Sequence, residues 1–399
     1  MRSLLKRAKV FNVAFPVEPH LEVTRFLSEW SRRYATEPTV LFTRVTGFPR
    51  SRILMNVFRR ALVLPSLGLP ARRYLAEARQ RLEETAGSVT SGASVATERL
   101  DGLDDLPILT HQPGDSGRYL TSFVSCLVDP ATGVRNLGFY RAQVRDSRTA
   151  VIFMDPRTDG SRIVRETLAA GAPDVPITLF AGGPVATYLS GAAATAADED
   201  SYVFASRLAA SPIALDATAY PPAPSEAEVV IHARVLRERG REAPFGEFKG
   251  YYCEPTDSPL IQVDEVFVRP DYYYLGLFCG KESGLELMSL TNELLMYRHL
   301  RSLGFAIGDV RYPLDAFGEF LTAIEAPFER AAEVVDAAMR FDRRTKMVVA
   351  GPDLADLGRK LSIFDFDSHT APYVKRGTEH GTRLGLALRP TSDYRWVEY

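Results

Sequence analysis

The sequence predicts an α+β chain of several domains, and three observations carry that prediction. Near the N-terminus, "LEVTRFLSEWSRRY" and "ARRYLAEARQRLEETA" have helical spacing on either side of a β-rich run, "PTVLFTRV". The middle alternates β-branched and aromatic residues between turn signals, from "LPILTHQPGDSGRY" to "SRTAVIF", and resumes that character at "AEVVIHARVL" and "IQVDEVFVRPDYYYLGLF". The last third again alternates helix and strand, as an α/β layer does. A chain of 399 residues is too long for one ordinary core. The expected division is an N-terminal α/β domain over 1–105, a β-domain over 106–280 with a helical insertion at about 161–210, and a C-terminal α/β domain over 281–399.

Taken in order, the Gly/Ser/Thr stretch "GSVTSGASVAT" breaks the first helical pattern before the β-rich middle begins. Asp129-Pro130 and Thr132-Gly133 mark a hairpin between "YLTSFVSCLV" and "RNLGFYRAQV". Read as one continuous strand, "NLGFYRAQV" puts Asn136, Gly138, Tyr140 and Ala142 on one face and Leu137, Phe139, Arg141 and Gln143 on the other. Val175 to Ala197 carries no charge and is long enough to cross a bilayer. Two glycines and Pro184 break it instead into a short strand, a turn and an Ala-rich helix with the proline near its first turn, where a missing N–H costs little.

A formal charge of -2 supplies no global field for nucleic acid or an anionic membrane, so an anionic ligand must be gripped locally. The three cysteines, Cys126, Cys253 and Cys279, are far apart and form no CxxC, which argues against a disulfide framework and a thiolate zinc site. The six histidines show no paired ligand spacing. Lys6, Arg7 and Lys9 interrupt the apolar N-terminus, so no signal-peptide core is expected and the chain reads as cytoplasmic.

"REAPFGEFKGYY", residues 241–252, holds two carboxylates, Glu242 and Glu247, around a Pro-Phe-Gly turn. A spacing of five matches neither a helix face nor a strand face, so these are either solvated hairpin-end residues or a functional pair held by local structure. Arg141 lies among Leu137 and Phe139, where a guanidinium wants a carboxylate partner or an anionic ligand. Both an ion pair and a ligand grip satisfy it.

"DSGRYLTSFVSCLVDPATGVRNLGFYRAQV", followed about a hundred residues later by "EAPFGEFKGYY", resembles the UbiD-type decarboxylases, which use prenylated FMN. The likeness extends from "VEPHLEVTRFL" through "DLPIL", "VPITLFAGG" and "SYVFASRL" into the C-terminal part. It implies a central split β-barrel that binds the flavin between two α/β domains, and a reversible, non-oxidative decarboxylation of an aromatic or α,β-unsaturated acid. It also implies that Asn136 ligates a divalent cation, usually Mn2+, at the flavin phosphate, with K+ a further cation, and that Asn136, Phe139, Tyr140 and Arg141 form the cofactor-binding strand. Arg141, Glu242 and Glu247 would form a Glu-Arg-Glu network, in which Arg141 grips the substrate carboxylate and Glu247 returns the proton. The implied partners are a small carboxylic acid, a flavin prenyltransferase as cofactor supplier, and a second copy in a homodimer, with no nucleic acid and no membrane.

The sequence departs from that pattern in places. Ala243 replaces a glycine, and Ser201 stands where many relatives carry a metal-ligating glutamate. "FMDPRTDGSR" replaces a His- or Arg-rich segment, leaving Asp159 either a metal ligand or a cap or turn residue, with Glu199 and Asp200 as further candidate ligands. The C-terminal stretch is shorter than usual, which leaves dimer geometry open. A non-catalytic or cofactor-poor partner subunit of a carboxylase or decarboxylase complex is the alternative implied by these departures.

Overall fold

The computed structural model describes residues 1–242, 244–278, 280–354, 373–378 and 381–387; Ala243, Cys279 and most of the C-terminal stretch lie outside the described residues. Its chain divides into two compact units, Met1–Arg72 with Gln80–Leu287, and Arg73–Arg79 with Met288–Tyr399. No helix among the described residues is long and apolar enough to cross a membrane.

The first unit is built around a curled, nine-stranded antiparallel sheet among the described residues. In chain order its strands are β1 (Glu98–Leu100), β2 (Tyr119–Leu120), β3 (Val124–Val128), β4 (Arg135–Phe139), β5 (Ala142–Val144), β6 (Thr149–Ile152), β7 (Asp174–Gly182), β8 (Ala227–Glu242) and β9 (Thr256–Val268). The spatial order is β2-β5-β6-β9-β8-β7-β3-β4, with β1 paired to β9. A register shift between His232 and Ala233, and a larger one between Val235 and Arg239, bend β8 against β9. Strand β7 is buried at seven of its nine positions, with residues of both faces among them, as a strand covered on both sides is.

The expected hairpin is present, as β3 and β4 pair antiparallel from Val124↔Phe139 to Val128↔Arg135, with Gly133 at φ +73° closing the turn. "NLGFYRAQV", in contrast, is not one strand. It splits at Tyr140-Arg141 into β4, which pairs with β3 at one edge of the sheet, and β5, which pairs with β6 and β2 near the other. The ladder has run out at this point, since Phe139 already faces Val124, the first residue of β3. Tyr140 turns back over Gly138 and against Gly160, where a Cβ would sit 2.6 Å and 2.2 Å from its hydroxyl. Three Cα steps join Phe139 to Ala142, so the two sheet edges can be no more than about 11 Å apart there. The sheet must therefore curl toward closure, and Arg141 stands at the seam.

The uncharged segment forms strand β7 and the helix Val185–Ala192, with Pro184 as its N-cap. The segment expected as a helical insertion carries the helices Asp159–Ala169, Val185–Ala192 and Ser201–Ala209, and β7 runs between the first two. A four-stranded sheet, Val10–Val13, Thr39–Phe42, Arg52–Met55 and Tyr273–Gly276, also belongs to this unit; its last strand takes up the aromatic run "YYYLG". The second unit centres on a five-stranded sheet that includes Leu321–Glu325 and Met347–Gly351, with Val349 and Leu386 in its core.

Candidate active site

Arg141 reaches back from the seam toward the end of β8. Its Nε donates to Glu242 Oε1 at 2.9 Å and its Nη2 to Glu242 Oε2 at 3.0 Å, a bidentate fork; Nη1 donates to Glu247 Oε1. One guanidinium thus engages both acids of "EAPFGE". The Nη2 also donates to Cys253 Sγ at 3.2 Å, and the guanidinium lies over the Phe153 and Phe245 rings at 4.2 and 5.3 Å. Burial opposes the charge on Arg141, but the hydrogen bond and field of Glu242, with Glu247 behind them, hold its pKa above the usual value. Burial pushes the Cys253 thiol up against the pull of Arg141.

The two acids are held differently. Glu242 is the last residue of β8, paired with Thr256 of β9, and its side chain has no exposure. Thr256 Oγ1 donates to Glu242 Oε2 at 3.4 Å, and the buried Tyr119 phenol interacts with the same carboxylate. Glu247 sits in a tight turn, where its N–H donates to Tyr251 O at 2.8 Å and Gly250 N–H to its own carbonyl at 3.0 Å. Gly250 takes φ +87°, which only glycine adopts without strain. The Glu247 side chain keeps 20% of its surface open to solvent.

Around the other expected residues the structure draws a different picture. Asn136 on β4 has a buried Oδ1 without a hydrogen-bond partner, an acceptor that a cation or a donor group would satisfy. Ser201 is the first residue of its helix and 1% exposed, and its Oγ accepts the Leu137 N–H at 3.0 Å. Asp200 caps that helix by accepting from the Tyr202 and Val203 N–H groups, and it also accepts from Arg135. Since β4 is an edge strand, Asp200 and Ser201 together satisfy two of its outward N–H groups, Arg135 and Leu137. A serine at position 201 therefore has a structural task of its own. Thr158, not Asp159, is the N-cap of the helix Asp159–Ala169; Asp159 is its first residue and pairs with Arg162 at 3.4 Å. Glu199 pairs with Arg207 at 3.5 Å. Among the described residues no three His, Cys, Asp or Glu side chains gather as a metal would need. Phe139 packs its ring 5.9 Å from Tyr188, while Tyr140 is buried against the start of the helix that follows Thr158, its phenol raised to about 12 by burial.

Sequence reasoning missed Cys253, Tyr119, Phe153 and Thr256, which surround Arg141 and Glu242 from separate strands and turns. Nothing in local spacing joins them. The family model for the 3-octaprenyl-4-hydroxybenzoate carboxy-lyase Rift-related domain matches residues 83–282, half of the chain. The chain belongs to the UbiD family.

This UbiD chain is 25% identical over 300 residues to the phenolic acid decarboxylase of Bacillus subtilis (strain 168), covering 70% of the chain and 63% of that protein. It is 29% identical over 304 residues to the phenolic acid decarboxylase of Streptomyces sp. (strain D7), covering 70% and 62%. The chain thus spans about three-fifths of the length of these curated relatives. Its fold resembles an evolved dimeric form of the UbiD-class enzyme HmfF from Pelotomaculum thermopropionicum in complex with prFMN, with TM-score 0.88, 22% identity, and 99% and 95% of the two chains covered. The apo 3,4-dihydroxybenzoic acid decarboxylase of Klebsiella pneumoniae matches with TM-score 0.86 at 18% identity, covering 100% and 96%. At these identities the solved structures speak to the fold, an α/β multi-sheet chain with a curled half-barrel sheet.

Proposed function

We propose that this chain is a prenylated-FMN-dependent carboxy-lyase that reversibly and non-oxidatively decarboxylates an aromatic or α,β-unsaturated carboxylic acid. The observation that carries the reading is the single guanidinium of Arg141 shared by Glu242 and Glu247 at the seam of the curled sheet. Family membership supports it. In this reading the sheet is a split barrel that holds the flavin, preceded along the chain by an α/β domain over 1–105 and followed by one over 281–399. The orphaned Asn136 Oδ1 suits a cation at the flavin phosphate, with Phe139, Tyr140 and Arg141 following on the same segment. When bound, prenylated FMN supplies the electron sink that the departing carboxylate requires.

The residues of the chain do the rest. Arg141 donates to the substrate carboxylate, a charge-assisted contact that is lost as CO2 leaves. A proton must then replace the carboxyl group on the same carbon. Of the two acids, Glu242 is sealed from water and has both oxygens on Arg141, so it cannot exchange protons with solvent. Glu247 makes a single contact to Arg141 through Oε1 and keeps solvent access, so it can deliver a proton and regain one each turnover. Glu242 fixes the guanidinium plane.

A hard divalent cation such as Mn2+ draws on several oxygen ligands, and here Asp159, Glu199 and Asp200 are engaged with arginines while Ser201 Oγ holds the edge of β4. The cation site, with K+ or Mn2+, would rest chiefly on Asn136. That weak donor set also favours a second reading, a cofactor-poor partner subunit. Purification from cells that co-express a flavin prenyltransferase, followed by absorbance and mass spectra and by decarboxylation assays on phenolic and cinnamic acids, tests the first. A colourless chain with no turnover leaves the second. The same preparation, passed through light scattering, tests the proposed homodimer.

A further inference from the structure

A second carboxylate, outside the Arg141 cluster, holds the turn that carries Glu247. Asp115 lies in "HQPGDSG" and opens the stretch "DSGRYLTSFVSCLV". Its Oδ2 accepts the His111 N–H at 3.1 Å and the Gln112 N–H at 2.8 Å, closing that turn on itself. Its Oδ1 accepts the Gly246 N–H at 2.8 Å, across 131 residues of sequence. Gly246 immediately precedes Glu247, so this bond fixes the peptide from which the acid projects toward Arg141.

Other contacts run between the same two segments. Ser116 N–H donates to Pro244 O at 3.1 Å, Gly114 N–H to the Tyr252 hydroxyl at 2.9 Å, and Phe245 packs 4.6 Å from the Tyr119 ring. The approach is close enough to require glycines. A Cβ on Gly246 would lie 2.8 Å from Gln112 Cγ, and one on Gly114 2.5 Å from the Tyr252 ring. Glu242 has no need of such a device because strand pairing with Thr256 fixes it. Glu247, in a turn of its own beyond the strand end, takes its position from outside the strand.

We propose that Asp115 is a positioning residue for the Glu247 turn, setting the reach of that acid to Arg141 and to the reacting carbon. The inference rests on the decarboxylase reading for its catalytic half and on geometry alone for its structural half. Misplacing a catalytic group by about 1 Å can cost up to about a hundredfold in rate.

The test compares wild type with Asp115→Ala and Asp115→Asn in the full chain. Amide hydrogen exchange of the apoprotein reads the structural half: Asp115→Ala should speed exchange in peptides covering 244–252 by about tenfold or more while β8 peptides stay unchanged. Asp115→Asn, which keeps an acceptor for Gly246, should fall between, and it carries the test should the alanine variant not fold. In flavin-loaded protein, with whichever phenolic or cinnamic acid wild type turns over, Asp115→Ala should lower kcat by about tenfold with KM within about twofold and flavin content unchanged. Unchanged exchange in 244–252 overturns the proposal. So does a rise in KM or a loss of flavin at unchanged kcat, which would mark a merely structural contact. Faster exchange in a protein whose wild type decarboxylates none of the acids leaves the clamp standing and removes the decarboxylase reading with the catalytic half.

Discussion

Glu242 and Glu247 bind the same arginine from two kinds of structure. Glu242 ends a sixteen-residue strand, is wholly buried, and gives both oxygens to Arg141. Glu247 lies five residues on, in a turn pinned by the Asp115 carboxylate and by Ser116 N–H on Pro244 O, and gives one oxygen while its side chain keeps 20% of its surface open to solvent. On the decarboxylase reading, that difference would separate a fixed counter-ion from an acid able to exchange protons with solvent. It also means that stability and turnover should respond to different residues, although all three groups belong to one network.

The largest expected effect removes the shared partner. Arg141→Ala leaves two carboxylates facing each other in a partly buried site, and breaking a buried pair in this way costs about 3–5 kcal/mol. Urea unfolding should show that loss, together with the absence of measurable turnover. Arg141→Lys should restore stability in part without restoring activity, because an ammonium cannot present the fork that spans Glu242 and reaches Glu247. Equal stability of Arg141→Ala and wild type would mean that the network does not form in solution.

The next experiment breaks the comparison directly. Glu247→Gln keeps the shape of the turn-held side chain and removes its acidic proton, so turnover should fall by about 10²- to 10⁴-fold, with a smaller stability change than Glu242→Gln. Glu242→Gln should reverse the balance, costing about 1–3 kcal/mol because a buried amide cannot replace a bidentate carboxylate on Arg141. Should the two variants lose stability equally, the distinction between strand-held and turn-held acid is wrong. Retained turnover in Glu247→Gln would move the proton donor elsewhere.

How much of this was legible in the sequence follows from how local each feature is. The Asp129-Pro130 and Thr132-Gly133 turn was readable because Asp129 and Gly133 act within five residues, Gly133 N–H donating to Asp129 O at 2.7 Å. Pro184 marked its helix start for the same reason. The break at Tyr140-Arg141 leaves a trace in the alternation, since the apolar positions pass from Leu137 and Phe139 on one face to Tyr140, Ala142 and Val144 on the other; reading the stretch as one strand missed that change of face, whose tertiary cause is the end of β3 opposite Phe139. Glu242 and Glu247 stood out by their spacing of five and Arg141 by its apolar neighbours, whereas the role of Asn136 and the joining of the other three into one network came through the family resemblance; their contacts follow from the curl of the sheet. Asp115, Tyr119 and Thr256 reach the cluster from distant segments and left no periodic trace. Ser201 looked like a lost metal ligand because its task, capping the open Leu137 N–H of an edge strand, depends on which strand lies beside it.

A third prediction probes the wall on the Glu247 side through pH. His111 is 3% exposed, its ring edge-on to Phe245 at 6.3 Å, and burial lowers its pKa to about 4 from 6.5. A histidine lowered in the folded state costs no stability above its unfolded pKa. As pH falls below 6.5 the unfolded chain gains a proton that the folded chain refuses, so stability drops until about pH 4, by about 3 kcal/mol in all. Burial raises the carboxyl of Asp115, which acts in the opposite sense as pH falls. The difference between wild type and His111→Gln in pH-dependent unfolding isolates the histidine, and parallel curves from pH 7 to 4 would show that the ring is solvated.

The smallest effect sharpens the comparison from the Glu242 side. Thr256 Oγ1 donates to Glu242 Oε2 at 3.4 Å, a long contact on a carboxylate that already has two guanidinium bonds, and the same hydroxyl lies 3.2 Å from Ser258 Oγ. Thr256→Val keeps the branched shape that suits β9 and deletes the hydroxyl. Because the Glu242 oxygen keeps its Arg141 partner, no buried acceptor is orphaned and the loss should stay below about 1 kcal/mol, with turnover changed less than about threefold. If Glu242 is the fixed counter-ion, a weak third contact adds little to a group that strand pairing and Arg141 already hold. A loss of tenfold or more in kcat for Thr256→Val would place the threonine hydroxyl in proton movement, and Glu242 would then have to exchange protons after all.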